Sequence, residues 1–62
     1  MMYQVQISES INGKIYRYET IATYTDFIDA YKHYIALLLQ DESDAYVYRI
    51  MEGNKIIEES RD

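Results

Sequence analysis

The stretch YQVQISESINGKIYRYET, residues 3–20, decides the fold. Tyr3, Val5 and Ile7 alternate with Gln4, Gln6 and Ser8, which is the period-two pattern of a strand with one buried face. Asn12-Gly13 follows. This pair is a strong hairpin signal, because a type I′ turn needs positive φ at both central residues. With that turn in place, Ile11 faces Lys14, Glu9 faces Tyr16, Ile7 faces Tyr18 and Val5 faces Thr20. Tyr16, Tyr18 and Thr20 then share the face of Val5 and Ile7, while Arg17 and Glu19 fall with Gln6 and Ser8. The second strand is expected over residues 14–21. Ile15 and Ile21 lie on its otherwise polar face and form a candidate contact surface.

The next stretch, TYTDFIDAYKHYIALLLQ at residues 23–40, contains no Pro or Gly and is expected to be a helix, capped by Thr23 or Thr25. At 100° per residue, Tyr34, Phe27, Leu38, Tyr31, Tyr24, Ile35, Ile28 and Leu39 fill one arc, and the polar residues fill the other. Tyr31, Ile35, Ile28 and Leu38 hold its centre and are expected in the core. Tyr34 and Phe27 lie at one margin, beside Leu37 and Ala30. That margin is where the helix is expected to touch another molecule.

The segment AYVYRIMEGNKIIEES, residues 45–60, reads as a second hairpin around Gly53-Asn54, with Gly first as a type II′ turn requires. Glu52 then faces Lys55, Met51 faces Ile56, Ile50 faces Ile57 and Arg49 faces Glu58. Tyr46, Tyr48, Ile50 and Ile57 make the core face, leaving Val47, Met51 and Ile56 on the reverse. The expected fold is α+β: a single domain over residues 1–62 in ββαββ order, with a four-stranded antiparallel sheet from two hairpins and one amphipathic helix packed on one face. Its uncovered face would display Ile15, Ile21, Val47, Met51 and Ile56. With Phe27, Tyr34 and Leu37 these are the candidate protein-interface residues.

A chain of 62 residues buries only about 60% of the surface its unfolded form exposes, so its stability margin is thin. Without cysteine it has neither disulfides nor a Cys/His zinc site. Self-association is the remaining way to cover more apolar area. Eleven Asp and Glu against six Lys and Arg give a formal charge of −5, which opposes direct nucleic-acid binding through phosphates. Asp26, Asp29, Asp41, Glu42 and Asp44 form a candidate acidic surface. QDESDA is too short and lacks the internal Gly of a calcium loop. No apolar run has the length of a membrane span, and MMYQVQISES does not read as a signal peptide, so a cytoplasmic protein is expected.

Catalytic chemistry finds little footing. The sole histidine, His33, lies four residues after Asp29 on the polar helix face, but Ser8, Ser10, Ser43 and Ser60 belong to strands, a loop or the tail, away from a base. Both glycines fall in expected turns, leaving none for a phosphate-binding loop. No catalytic, cofactor-binding or metal-binding residue is assigned. Eight tyrosines are the compositional oddity. Tyr16, Tyr18, Tyr31, Tyr46 and Tyr48 are expected to line the core edge, and the competing reading displays several of them at an interface.

In size, charge and lack of catalytic equipment the chain is similar to small acidic proteins of phages and other mobile elements, which bind and block host proteins, some by imitating the charge of DNA. The likeness is one of class and carries over no residue. The expected function is a non-enzymatic protein-binding module, a homodimeric inhibitor or accessory protein. The alternative is an acidic DNA mimic that blocks a nucleic-acid-binding enzyme.

Overall fold

The computed structural model describes residues 1–41 and 45–60. Strands β1 (Tyr3–Ile11), β2 (Lys14–Ile15) and β3 (Glu19–Tyr24) precede helix α1 (Phe27–Gln40); β4 (Tyr46–Glu52) and β5 (Lys55–Glu59) follow. The protein is α+β, with one helix packed against a curled antiparallel sheet. β1 lies inside the sheet, paired with β4 on one side and with β2 and then β3 on the other; β5 pairs with the outer side of β4.

The first turn follows the sequence rule. Asn12 and Gly13 have φ of 54° and 79°, and Ile11 faces Lys14 and Ser10 faces Ile15. Beyond that the register departs from the simple hairpin. The Tyr16 amide donates to the Glu9 carbonyl at 3.2 Å, residues 16–18 belong to no strand, and pairing resumes with Ile7 opposite Glu19 rather than Tyr18. A second shift follows, because Gln6 faces Thr20 while Val5 faces Ala22, leaving Ile21 as an extra residue. An extra residue exchanges the two faces of everything beyond it. The first shift thus turns Thr20 to the Gln6 face, and the second returns the even-numbered residues to the core side, where Ala22 and Tyr24 lie opposite Val5 and Tyr3. The strand expected over residues 14–21 is two strands, the second reaching Tyr24.

The second hairpin repeats this history. Gly53 has φ of 59° and Asn54 is not among the positive-φ residues, as a type II′ turn requires. Glu52 faces Lys55 and Met51 faces Ile56, but the ladder then slips, so that Ile50 faces Glu58 and Arg49 faces Glu59. Ile57 is the extra residue, and it packs against the core. At the strand end the Ser60 amide donates to the Tyr48 carbonyl at 2.9 Å, and the Tyr48 amide donates to Ser60 Oγ at 2.8 Å. Bulges in both outer strands increase local bend and twist, which is how a sheet this small curls around one helix.

Asp26, not Thr23 or Thr25, caps the helix: its backbone is extended and its carboxylate accepts from the Ile28 amide at 3.0 Å. Tyr24 consequently ends a strand and is not part of the helical arc. The buried apolar residues are Val5, Ala30, Tyr34, Tyr48 and Ile50, with Phe27, Ile35, Leu37 and Leu38 among those packed against them. This corrects the expected helix orientation. Ala30, expected outside the stripe, is fully buried, and Tyr34 is core instead of margin, whereas Ile28, Tyr31 and Leu39 stand 61%, 39% and 79% exposed.

The physical reason is that α1 carries two overlapping apolar seams and the sheet covers one of them. Ala30 has no bulk to hold the helix off the sheet. Phe27, Tyr34 and Leu37, three, four and seven residues from it, close around that approach. The covered face is thus the one that carries the small, fully buried Ala30, and the larger side chains at 28, 31 and 39 are left outside. Among the described residues no helix is long and apolar enough to cross a membrane.

Candidate interaction surfaces

The register places Gln4, Gln6 and Ser8 of β1 beside Met51, Arg49 and Val47 of β4, on the sheet face opposite the helix. A polar row crosses this face. Gln6 Nε2 donates to Thr20 Oγ1 at 3.0 Å, Arg49 Nε donates to Gln6 Oε1 at 2.7 Å, and the Arg49 guanidinium lies 3.6 Å from the centre of the Tyr18 ring. Glu59 is aligned with Arg49 across the β4–β5 ladder. Met51 and Ile56 lie on one side of this row, and Val47 and Ile15 on the other. Ile21 projects at the β3 bulge. Ile21 and Ile56 are exposed and Ile15, Val47 and Met51 half-buried. The five residues expected to form one open apolar face are therefore split by hydrogen-bonded polar groups.

The acidic residues are likewise dispersed. Asp26 caps the helix and Asp29 lies in its first turn, both exposed, where the helix dipole favours them. Asp41 closes the other end, about 21 Å away by helical rise, and its carboxylate accepts the Tyr48 hydroxyl at 3.3 Å. Burial, and after it the Asp41 charge and hydrogen bond, push the Tyr48 phenol above its ordinary pKa. Glu42 and Asp44 lie outside the described residues. His33, expected on a solvated face with Asp29, is half-buried, and its Nδ1 shares a 2.9 Å hydrogen bond with the Tyr24 hydroxyl. The two rings meet edge to face at 5.9 Å, which ties α1 to the end of β3. Among the described residues no group of three or more His, Asp or Glu side chains is placed to hold a metal ion.

Two features escape the sequence pattern. One is the exposed helical seam of Ile28, Tyr31 and Leu39, continued by half-buried Ile35. Its spacing of three, four and four residues is that of a helix-packing stripe. Tyr31 is held in place, its ring 5.6 Å from that of Phe27 and 6.1 Å from that of Tyr34. The other feature is a groove of about 300 Å³ lined by Ile7, Ser8, Glu9, Tyr16, Arg17, Glu19 and Tyr46. It opens where residues 16–18 leave the ladder. The alternation IYRYE gives no warning of the break, since it reads as continuous strand. The seam, by contrast, was legible as apolar residues but not as uncovered ones.

No family model, curated protein or solved structure matches the chain.

Proposed function

We propose that this chain is a non-enzymatic protein-binding module that works as a homodimer in the cytoplasm, a small inhibitor or accessory protein of the phage or mobile-element type. Its scaffold is ββαββ, with β2 and β3 taken as one interrupted strand of the first hairpin. The observation that carries the reading is the exposed seam Ile28–Tyr31–Ile35–Leu39 on an otherwise well-seated helix.

The occupant we assign to the seam is a second copy of the same helix, antiparallel across a two-fold axis. Such a pairing sets Ile28 against the partner's Leu39 and Tyr31 against the partner's Ile35, so one stripe satisfies itself. It also opposes the two helix dipoles. A core with only five buried apolar side chains among the described residues is the condition under which covering more apolar area by association adds most to stability. The acidic alternative has less support, because Asp26 and Asp29 lie at one end of α1 and Asp41 at the other, engaged by Tyr48.

Sedimentation equilibrium at high micromolar concentration tests the reading. Twice the 7.4 kDa chain mass is expected, reverting to one chain in the Ile28→Gln/Leu39→Gln variant with an unchanged circular dichroism spectrum. A wild-type chain that remains monomeric rejects it.

A further inference from the structure

The groove at the break in the first hairpin has the composition of a receptor for a cationic side chain. Two tyrosine rings, Tyr16 and Tyr46, line it and are 50% and 43% exposed. Two exposed carboxylates, Glu9 and Glu19, line it as well, against one guanidinium, Arg17. The charge of the lining is therefore negative by one. An aromatic face and a nearby carboxylate both attract a cation, and they do so more strongly in a recess that water only partly fills.

A second observation points to the same ligand chemistry. Lys14 Nζ already lies 5.5 Å from the centre of the Tyr16 ring. The Tyr16 ring thus already stands within cation–π reach of one of the chain's own ammonium groups. Backbone geometry holds the groove open: the Tyr16 amide is fixed to the Glu9 carbonyl, Glu19 is fixed opposite Ile7, and the two residues between them, Arg17 and Tyr18, span a gap that a regular ladder would close with one.

We infer that this groove binds a single arginine or lysine side chain displayed by a partner protein. The guanidinium or ammonium lies against Tyr16 and Tyr46 and is balanced by Glu9 and Glu19. Arginine is the better fit, because its planar head stacks on a ring while its donors reach carboxylates to the side. The inference deepens the protein-binding reading at a site separate from the helical seam, and it does not depend on the dimer.

The test is an NMR titration with acetyl-Gly-Arg-Gly-amide, run on the wild-type chain and on Ile28→Gln/Leu39→Gln, so that loss of self-association and loss of groove binding are read separately. Saturable shifts of the Tyr16 and Tyr46 ring resonances are expected in both proteins, with affinity in the range of about 1 mM. The peptide carrying citrulline, uncharged but of the same shape, should produce none. Glu19→Gln and Tyr16→Leu, both at exposed positions, should each weaken binding about three- to fivefold while leaving the folded spectrum intact. Equal shifts with citrulline, or shifts that ignore both substitutions, would overturn the assignment. So would an absence of ring shifts up to about 10 mM peptide.

Discussion

The Arg49 guanidinium lies 3.6 Å from the centre of the Tyr18 ring while its Nε donates to Gln6 at 2.7 Å. Tyr18 belongs to the irregular segment between β2 and β3 and Arg49 to a central strand, so this stack fastens the irregular segment across β1. Arg49→Lys keeps the charge but loses the flat face and the fixed fork. We expect it to lower unfolding free energy by about 1–2 kcal/mol in urea titration. Tyr18→Leu should cost a similar amount, and the double variant should cost less than the sum of the two. Additive effects would mean that the stack contributes nothing.

The helix orientation is tested by exchanging the fates of two positions. Ala30 is fully buried and Ile28 is 61% exposed. Ala30→Glu places a charge where no water reaches and should abolish cooperative folding. Ile28→Glu should leave the circular dichroism spectrum of the monomer unchanged. Ile50→Ala, beneath the helix, should cost about 2–5 kcal/mol, a large part of the margin for a domain stabilised by about 0.05–0.15 kcal/mol per residue.

These positions also show how much of the molecule the sequence discloses. Both turns and the first two pairs of each hairpin were legible, because Asn12-Gly13 and Gly53-Asn54 impose their own backbone geometry. Register further out was not, since Ile21 and Ile57 each enter as an extra residue and nothing in an alternating pattern distinguishes an isoleucine that bulges from one that pairs. The amphipathic helix was legible too, but its rotation was not. Periodicity weighs side chains by hydrophobicity, and Ala30 weighs little although it is fully buried. The seam and the groove are both consequences of these unseen choices, so the candidate sites were hidden even where their residues were noticed.

The turn glycines give a cleaner energetic test. A Cβ on Gly13 or Gly53 would meet nothing within 4 Å, yet their φ angles are 79° and 59°. Gly13→Ala and Gly53→Ala should therefore each destabilise by about 1–2 kcal/mol through backbone strain alone. D-alanine, introduced at either position by chemical synthesis, should restore or exceed the parent stability. A loss of the same size with both enantiomers would point to a steric contact instead.

Alkaline pH should unfold the protein, and the direction follows from three phenols. Burial pushes the pKa of Tyr34 above the ordinary value of 10.0, with Glu58 adding to the shift. Tyr48 rises through burial and Asp41, and Tyr3 through loss of hydration and the carboxylate of Glu52. A group whose folded pKa is raised holds its proton more tightly in the folded state. Its stabilising contribution is therefore complete below the unfolded value of 10.0 and is lost as pH rises through the higher folded value. Melting temperature should stay level on the approach to pH 10 and fall beyond it. Tyrosinate absorbance should rise in a late step that coincides with loss of the circular dichroism signal. In Tyr34→Phe the late step should shrink, because one of the delayed phenols is gone. A tyrosinate titration complete near pH 10 with the fold intact would show that these hydroxyls are solvated and that the core is more open than its geometry implies.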